Sequence, residues 1–578
     1  MRVGAPGEKS RSPASLRDIR AGWYACLRRA GGDWPPRTLS QNQLRMHRCL
    51  SLALGLVVAT GNALGAQHAP RWVRGATCYE IFVRSFYDSN GDGVGDLNGL
   101  TEKLDYINDG NPRSTRSLGA RCVWLMPIME SPSYHGYDAT DYYRVARAYG
   151  TNDDFKRLVD AAHRRGIHVL IDMVLNHTSN ENPWFQSAMR DTASPYRNWY
   201  RWSATKPEGK GPWGQEVWYR SPVRDEYYYA VFWSGMPDLN YETPAVRAEV
   251  KKIARFWLTE MHVDGFRLDA VPFLIEDGPV LAGSKGTHAL LHDFAAYVRS
   301  VRPDAFTVGE VYDSLGTMLT YYPDQLDSYF AFEMADSIIA AVRNGSARGL
   351  LEPVLRLQQA LPNDRWSPFL RNHDQPRTRT ELQGDVRKSR LASFLLLTMP
   401  GVPFVYYGEE IGMMGGKPDE RLRTPMQWRR GHADGFTSGT PWEALQEDSL
   451  TTTVEAQNAD SSSILAMNQR LIHLRTRMPA LGEGTLVPLA TSVDGVAAYL
   501  RKAGDQVVLV VANLTSKSTR DVKLSSSDRV LPAGRGQAVG LLGSSAKAKI
   551  VVGADGRLKD VPLQTLAPLE GYLIELRR

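Results

Sequence analysis

The sequence predicts a (β/α)8 TIM barrel with a small domain inserted after the third strand and a C-terminal antiparallel β-sandwich. Eight short apolar segments have the character of buried strands, and helical segments lie between most of them. After about residue 480 the sequence changes to short strands separated by turn residues. The chain has 578 residues, too many for one compact core, so more than one domain is expected. The strand candidates are 78–83, 122–128, 167–175, 265–271, 305–311, 328–334, 367–373 and 402–410.

Two helices between these strands carry clear start signals. Thr151 and Asp154 are spaced as a capping box, which predicts a helix over 151–165. Thr243 followed by Pro244 predicts a second helix start, with proline at the first helical position. One face of this second helix is apolar and carries Val246, Val250, Ile253 and Trp257.

The gap between the third and fourth strands is too long for one helix. Residues 177–242 are aromatic and irregular, which predicts the inserted domain, and 481–578 form the predicted β-sandwich. The barrel then takes 67–176 and 243–480.

The first 66 residues form a predicted leader. They hold ten Lys/Arg against three Asp/Glu, whereas the whole chain has a net charge of +6, so the remainder is almost neutral. This excludes a nucleic-acid binder, which would carry its basic surplus on the folded part. A basic start at Met46, a short apolar run and small residues up to Ala66 are typical of a signal peptide, so we expect Met46 as the true start and a secreted or periplasmic protein. The apolar run is too short for a membrane anchor; a cytosolic N-terminal extension is the alternative.

Only two cysteines, Cys78 and Cys122, lie outside the leader. Each begins an apolar run, and the two runs look like neighbouring strands. We expect buried free thiols in preference to a disulfide, with the disulfide as the open alternative.

Charged residues mark the ends of four predicted strands. In GFRLDAV (265–271) the period of two places Arg267 and Asp269 on one strand face, where a structural ion pair is the simplest explanation. Other strand ends bear Asp172, Asn176, His177, Glu310, His373 and Asp374. The carboxyl ends of barrel strands meet at one mouth. Carboxylates clustered there repel one another and lower the stability of the fold, so their presence indicates a functional site.

Four of these segments resemble the signature segments of the α-amylase family of glycoside hydrolases, family 13. They are DMVLNH (172–177), GFRLDAV (265–271), GEVY (309–312) and FLRNHD (369–374), in the family's order. MPDLN (236–240) is similar to a fifth segment found in the group between oligo-1,6-glucosidases and neopullulanases. The family's architecture agrees with the predicted domains.

The resemblance implies a retaining mechanism with Asp269 as nucleophile, Glu310 as general acid/base and Asp374 as stabiliser of the distorted sugar. Arg267 would keep Asp269 ionised, and crowding by carboxylates would raise the pKa of Glu310.

The same resemblance implies a set of substrate-binding residues. Tyr137 would stack on the sugar at the cleavage point and Asp138 would bind its hydroxyls. His177 and His373 would donate hydrogen bonds to sugar hydroxyls. Arg423 would pair with Asp138 to close the pocket; the alternative is that Arg423 only tethers the loop after the eighth strand.

A glycine-rich loop after the first strand has oxygen donors at alternate positions, namely Asp88, Asn90, Asp92 and Asp96. This spacing predicts a structural Ca²⁺ site, although Gly99 replaces the glutamate that an EF-hand requires. Some members of the family that the chain resembles bind calcium in this loop, and the resemblance implies the carbonyl of Val94 as a further ligand.

We expect hydrolysis of α-1,4-glucosidic bonds in starch and maltooligosaccharides by a monomer. The alternatives within the family are an α-glucosidase, a transglycosylase or a trehalose-synthase-like isomerase, whose DAVP segment (269–272) this sequence shares. An inactive transporter subunit or a starch-binding protein would not need all three carboxylates.

Overall fold

The structure is a computed structural model that describes residues 69–446, 451–543 and 548–577. The predicted leader, with Met46 and the signal peptide, lies outside the described residues. In the part of the chain that is described, no helix is long and apolar enough to cross a membrane.

Eight parallel strands form the barrel. Seven of the predicted segments contain one of them, and the segment 367–373 overlaps the seventh strand only at Ser367, because that strand begins one residue earlier and is short. The eight strands follow one another around the barrel in chain order, with the eighth strand beside the first. Two backbone hydrogen bonds join the seventh strand to the eighth, from Val402 N to Trp366 O (3.0 Å) and from Phe404 N to Pro368 O (2.8 Å). The strands are Cys78–Ile81, Cys122–Leu125, His168–Met173, Gly265–Leu268, Phe306–Gly309, Ser328–Phe330, Trp366–Ser367 and Phe404–Tyr406.

Helices surround these strands. The longer ones are Asn152–Arg164, Pro244–Thr259, Lys285–Val301, Phe332–Asn344, Glu352–Ala360, Val386–Thr398 and Ile464–Arg477. Short helices are Val83–Phe86, Leu97–Glu102, Leu104–Ile107, Leu315–Leu319, Thr378–Glu381, Asp419–Leu422, Val454–Asn458 and Pro479–Gly482. The capping box is formed, since Asp154 N donates to Thr151 Oγ1 (3.1 Å) and Thr151 N to Asp154 Oδ2 (2.8 Å). Thr243 precedes its helix as predicted, but its hydroxyl donates to the carbonyl of Asn198 instead of capping.

Between the third and fourth strands lie the helix Pro183–Arg190 and a three-stranded antiparallel sheet. The sheet consists of Trp202–Ser203, Trp218–Arg220 and Tyr227–Tyr229. The end of the inserted segment is attached to the barrel by Tyr241, whose hydroxyl donates to Leu175 O (2.6 Å) just after the third strand.

The C-terminal region consists of two antiparallel sheets. The larger has six strands, Thr485–Pro488, Val496–Ala503, Gln506–Asn513, Gly571–Arg577, Gly534–Leu542 and Ala548–Val552. The smaller has Ala490–Thr491, Lys523–Ser525 and Val561–Pro562. Leu509 and Val511 of the larger sheet share a buried cluster with Leu524 of the smaller, so apolar burial between the sheets holds the sandwich together.

Two buried arginines lie where the sandwich meets the barrel. Arg501 of the sandwich donates across this junction, and Arg475 binds carbonyls within the barrel. Arg475 donates to the carbonyls of Leu397, Met399 and Gly401, and Arg501 donates to the carbonyls of Thr398 and Gly484. Most of these carbonyls are at or just after the end of the helix Val386–Thr398, where the helix dipole favours a positive charge. Burial lowers the pKa of Arg475 to about 10 and that of Arg501 to about 9.

The prediction of free thiols is wrong, because Cys78 and Cys122 form a disulfide. They are register partners on the first and second strands, with Cα atoms 4.3 Å apart, and both are fully buried in the core cluster inside the barrel. The sequence placed the two strands side by side but left their register open, and the register decides whether the thiols meet.

We expect the double variant Cys78→Ala/Cys122→Ala to unfold at a lower temperature than the wild type. The bridge closes a loop of 44 residues, and its loss costs about 2–4 kcal/mol because the unfolded chain gains freedom. Thermal unfolding with and without reductant checks this. The wild type should respond to reductant and the double variant should not; equal melting temperatures for both proteins would contradict it.

Candidate active site

A single buried arginine, Arg267, organises the carboxyl end of the barrel. It is fully buried in the fourth strand, opposite Asp172 on the third strand and Val308 on the fifth. Asp269 follows the fourth strand directly and Glu310 follows the fifth. The period of two that the sequence suggested places Asp269 on the face of Arg267, and the parallel register of the neighbouring strands brings Asp172 and Glu310 to the same guanidinium.

The guanidinium binds the three carboxylates through both terminal nitrogens. Arg267 Nη1 donates to Asp172 Oδ1 and Oδ2 (2.9 and 3.0 Å) and to Asp269 Oδ1 (2.6 Å). Arg267 Nη2 donates to Glu310 Oε2 (2.7 Å). One positive charge thus serves three carboxyl groups, which leaves a local excess of negative charge that protonation relieves.

Among these carboxyl groups, Glu310 is the one whose raised pKa is of use in catalysis. Burial is the largest cause that raises its pKa, to about 7, and the negative charges of Asp269 and Asp374 add to it while Arg267 opposes them. Crowding does raise the pKa, as the sequence suggested, but burial contributes more. A carboxyl group that keeps its proton near neutral pH is suited to general acid catalysis.

Asp172 is also buried, and donors surround it. Besides Arg267, it accepts hydrogen bonds from Tyr137 Oη (3.0 Å) and Trp124 Nε1 (3.3 Å). Burial raises the pKa of Asp172 to about 7, and the negative charge of Asp269 adds to this while Arg267 opposes it. Asp172 accepts four hydrogen bonds, and through them it fixes Tyr137 and Arg267.

Tyr137 and His373 form a stacked pair beneath the mouth. Their rings are 5.5 Å apart and nearly parallel, and Tyr137 Oη lies 2.7 Å from His373 Nε2. His373 Nδ1 lies 2.6 Å from Glu80 Oε1, and burial raises the pKa of Glu80 well above its usual range. A protonated Glu80 can donate to Nδ1, which leaves Nε2–H to donate to Tyr137. His373 thus contacts Tyr137 through Nε2 and Glu80 through Nδ1, and its role in binding sugar hydroxyls stays a prediction.

Glu80 is a site residue that the sequence analysis missed. It is the one charged residue of the first strand, CYEI, and it is almost fully buried. The signal in the sequence that could have revealed Glu80 was a lone carboxyl group within a strand that the barrel buries.

His177 and Asp138 lie on either side of Tyr137 in the site. His177 Nε2 is 2.9 Å from the carbonyl of Tyr137, and burial lowers the pKa of its imidazole. Asp138 accepts hydrogen bonds from the hydroxyls of Ser131 (2.7 Å) and Ser133. Burial raises the pKa of Asp138, against the pull of these two hydroxyls.

Arg423 binds Asp374 rather than Asp138. Its Nη2 lies 2.9 Å from Asp374 Oδ1 and 3.6 Å from Asp419 Oδ2, and its Nε donates to His373 O (3.0 Å). The expected pair with Asp138 is not formed, because that carboxylate accepts from Ser131 and Ser133 while Arg423 binds Asp374. Arg423 instead connects the loop after the eighth strand to the end of the seventh, which agrees with the alternative considered for it.

Two further aromatic residues, both missed by the sequence analysis, lie beside Arg423. Tyr134 Oη lies 3.3 Å from Arg423 Nη1, and the ring of Tyr134 stacks on Trp442 with centroids 5.4 Å apart. Both sit in irregular loops, where the sequence has no periodicity to reveal a role.

The loop with the predicted calcium donors is closed by its own hydrogen bonds. Asp88 accepts from the backbone amides of Asn90, Gly91 and Gly93 (2.8–2.9 Å), and Asp92 Oδ1 accepts from Val94 N (2.8 Å). Burial acts to raise the pKa of Asp88, but hydrogen bonds from Thr437 and these amides outweigh it and lower the pKa. The loop follows a tight path: Gly93 has φ +90°, and a Cβ there would lie 1.9 Å from Thr440 O.

The donor set of this loop fits a hard divalent cation. It offers three carboxylates, one amide oxygen and one carbonyl within nine residues; Asp88 and Asp96 are buried, and Asp92 is exposed. Within the described ranges, no group of three or more His, Cys, Asp or Glu side chains is already gathered as a metal cluster. Calcium therefore stays a prediction.

Comparison with known proteins agrees with this geometry. The family model "Alpha amylase, catalytic domain" matches residues 80–484. The chain is 42% identical over 450 residues to alpha-amylase 3 of Dictyoglomus thermophilum, covering 77% of this chain and 85% of that protein. It is 35% identical over 492 residues to the trehalose synthase/amylase of Mycolicibacterium smegmatis, covering 75% and 81%.

A solved structure shares both the fold and much of the sequence. The alpha-amylase from H. orenii superposes with a TM-score of 0.75 at 38% identity, covering 87% of this chain and 99% of that one. The chain therefore belongs to the α-amylase family of glycoside hydrolases, family 13.

Proposed function

We propose that this protein is a retaining glycoside hydrolase that cleaves α-1,4-glucosidic bonds in starch and maltooligosaccharides. The observation that carries the proposal is the guanidinium of Arg267, which holds Asp269 on one nitrogen and Glu310 on the other. An ionised carboxylate and a carboxyl group with a raised pKa, fixed on one cation, are the two groups that retaining hydrolysis needs.

In the first step Asp269 attacks C1 of the bound glucosyl unit while Glu310 gives its proton to the leaving glycosidic oxygen. Arg267 Nη1 donates a hydrogen bond to Asp269 and keeps it aligned. The C1–oxygen bond to the leaving sugar breaks as the ester bond to Asp269 forms. Tyr137, fixed by Asp172 and His373, supports one face of the sugar.

In the second step Glu310, now ionised, takes a proton from water as the water oxygen bonds to C1. The bond to Asp269 breaks and the carboxylate is restored, so the anomeric configuration is retained. Asp374, which Arg423 holds in place, binds the hydroxyls of the distorted ring in both transition states.

We expect the alkaline limb of the pH–rate profile to fall near pH 7. Glu310 must be protonated in the first step, and its pKa is raised to about 7, so kcat/KM should decrease as the pH rises through that value. Asp374→Asn removes one of the charges that raise this pKa and should shift the limb to lower pH. Measurement of kcat/KM between about pH 4 and 9 checks this; a limb that does not move in the variant contradicts the electrostatic origin.

The substrate class is tested by one set of incubations. Purified protein is given soluble starch, maltotriose, isomaltose, maltose or trehalose, and the products are separated and quantified. Release of glucose and short maltooligosaccharides from starch and maltotriose supports the proposal. Cleavage of isomaltose alone would contradict the α-1,4 assignment.

A trehalose-forming isomerase is the second candidate, because relatives at 35% identity carry the name trehalose synthase/amylase. The maltose incubation separates the two candidates. Trehalose formed from maltose without net hydrolysis would favour the isomerase, whereas glucose as the main product would favour the hydrolase.

We propose that Asp88, Asn90, Asp92, Val94 and Asp96 hold a structural Ca²⁺. The oxygen donors and the glycines with positive φ in this loop support the proposal. The ion would neutralise three aspartates beside residues 437–442 and take no part in the chemistry. The hydroxyl of Thr437 already donates to Asp88 in this contact.

We expect chelation to lower the melting temperature of the wild type, because a ligand that binds only the folded state stabilises it, by about 2.7 kcal/mol at a hundredfold excess over Kd. Asp92→Ala should abolish the response to chelator and to added Ca²⁺. Asp277→Ala, which removes an exposed aspartate from another loop, should keep it. A melting temperature of the wild type that changes neither with chelator nor with added Ca²⁺ would argue against the site.

We also propose that the protein is a monomer and that it is exported to the periplasm or the medium. The disulfide supports this, because such bonds persist in oxidising compartments and are rare in the cytosol.

A further inference from the structure

A row of four hydrogen-bonded side chains crosses the candidate active site and ends at Glu80, a residue of the first strand. Asp172 Oδ2 lies 3.0 Å from Tyr137 Oη, and Tyr137 Oη lies 2.7 Å from His373 Nε2. His373 Nδ1 lies 2.6 Å from Glu80 Oε1. Asp172 and His373 are fully buried, and Glu80 is 2% exposed. Asp172, Tyr137, His373 and Glu80 are called the hydrogen-bonded row below.

The Asp172 end of the row sets the direction of its hydrogen bonds. Asp172 accepts from Arg267 and from Trp124 Nε1, so it acts as an acceptor towards Tyr137 as well. The Tyr137 hydroxyl has one hydrogen, and once this is given to Asp172 the oxygen can only accept from His373. In this arrangement His373 carries a hydrogen on Nε2.

The Glu80 end of the row must then supply a donor. A neutral histidine with its hydrogen on Nε2 has a lone pair on Nδ1, and a carboxyl oxygen 2.6 Å away donates to it only when the carboxyl is protonated. Burial raises the pKa of Glu80 well above its usual range. Arg267 opposes this rise, whereas the negative charges of Asp374 and Asp172 add to it. A protonated Glu80 therefore completes a row in which every hydrogen has an acceptor.

Charged and titratable side chains face Glu80 from four other parts of the barrel. They are Asp172 of the third strand, Arg267 of the fourth, His373 and Asp374 after the seventh, and Tyr406 of the eighth. The register partner on the second strand, Trp124, is uncharged. Arg267 is the one cation of this group, and it already binds three carboxyl groups. These surroundings favour a neutral Glu80.

We propose that Glu80 is a positioning residue, whose carboxyl proton is donated to Nδ1 of His373 and so keeps the hydrogen of that imidazole on Nε2. Without this proton, His373 would donate from Nδ1 to the Glu80 carboxylate, and Nε2 would become an acceptor. Tyr137 would then donate to His373 and no longer to Asp172. One ionisation in the first strand would thus reverse the whole hydrogen-bonded row.

The reversal bears on sugar binding, and in this respect the inference rests on the proposed function. With its hydrogen on Nε2, His373 can donate to a sugar hydroxyl, and Tyr137 is attached to both Asp172 and His373. In the reversed row His373 has no hydrogen to offer from Nε2, and Tyr137 loses its hydrogen bond to Asp172. We therefore expect weaker binding of the glucosyl unit when Glu80 cannot donate.

The test compares Glu80→Gln and Glu80→Leu with a matched control, Glu410→Gln. The glutamine amide can donate to His373 Nδ1, whereas leucine fills a similar space without a donor. Glu410 is also a buried carboxyl group, but it accepts from the hydroxyls of Tyr79 and Tyr106. Each full-length protein also carries Glu310→Gln, so that maltotriose is not consumed during calorimetric titration.

We expect Kd for maltotriose to stay within about twofold of the Glu310→Gln reference in Glu80→Gln and Glu410→Gln, and to rise about tenfold in Glu80→Leu. Melting temperatures show whether each variant is folded. A purely structural role would make the affinity follow the melting temperature. Equal affinities in folded Glu80→Gln and Glu80→Leu would overturn the inference.

A measurement without substrate tests the inference independently of the proposed function. ¹⁵N NMR of histidine-labelled protein shows which ring nitrogen carries hydrogen, and the His373 signals are identified by their absence in His373→Gln. We expect a bare Nδ1 and a protonated Nε2 at neutral pH, in the wild type and in Glu80→Gln. A hydrogen on Nδ1 of the wild type would overturn the inference. The expected tautomer in a protein that binds no maltotriose would show that the proposed function alone has failed.

Discussion

Replacement of Asp269 by Asn is expected to lower kcat/KM on soluble starch by at least about a thousandfold, which corresponds to about 4 kcal/mol of transition-state stabilisation. The amide cannot form the glycosyl ester, yet it has the same shape and can still accept the hydrogen bond from Arg267 Nη1. The melting temperature should therefore remain close to that of the wild type. Initial rates over a range of starch concentrations check the prediction.

Asp313→Asn is the matched control for this experiment. Asp313 is an exposed aspartate three residues after Glu310, and it binds the hydroxyl of Thr317 rather than Arg267. Its variant should keep nearly full activity. If Asp269→Asn keeps more than about a tenth of the wild-type rate, the assignment of the nucleophile is wrong.

Replacement of Arg267 by Met is expected to destabilise the protein by about 3–5 kcal/mol as well as to abolish activity. The guanidinium is fully buried and hydrogen-bonded to Asp172, Asp269 and Glu310, so its removal leaves three carboxyl groups without their cation. Chemical unfolding at neutral pH measures the loss of stability.

The pH dependence of the stability lost in Arg267→Met shows whether the loss comes from unpaired charges or from lost packing. The buried carboxyl groups become protonated as the pH falls, and a protonated group needs no cation, so the difference from the wild type should narrow in acid. Adding Asp172→Asn to Arg267→Met should restore part of the lost stability by removing one unpaired charge. A deficit that is the same at every pH would instead indicate lost packing alone.

The barrel could be predicted from the sequence because its strands are short, apolar and bounded by turn or helix signals. Each of the eight predicted segments contains or overlaps a strand, and the helix after Thr151 begins with the capping box expected there. The period of two in GFRLDAV also placed Arg267 and Asp269 on one face, and their contact confirms it. These features are local, and local patterns are what a single sequence shows.

Pairings between distant residues could not be predicted in the same way. Whether Cys78 meets Cys122 depends on the register of two strands 44 residues apart. The partner of Arg423 depends on the path of an irregular loop, which directs it to Asp374. Glu80 became a site residue only because barrel closure brings the first strand near the segment after the seventh, where Glu80 meets His373. Such contacts follow from barrel closure and rotamers, which have no signature in the order of residues.

The most direct test of the account is to trap the glycosyl–enzyme and locate the sugar. The protein is mixed with a 5-fluoro-α-glucosyl fluoride, whose ring fluorine slows both steps while its good leaving group lets the first proceed without an acid. Intact mass and peptide mapping then identify the modified residue. The account predicts one added fluoroglucosyl group, on the peptide that contains Asp269, and none in Asp269→Asn. A label on any other residue would contradict it, as would products of inverted configuration from the unmodified enzyme.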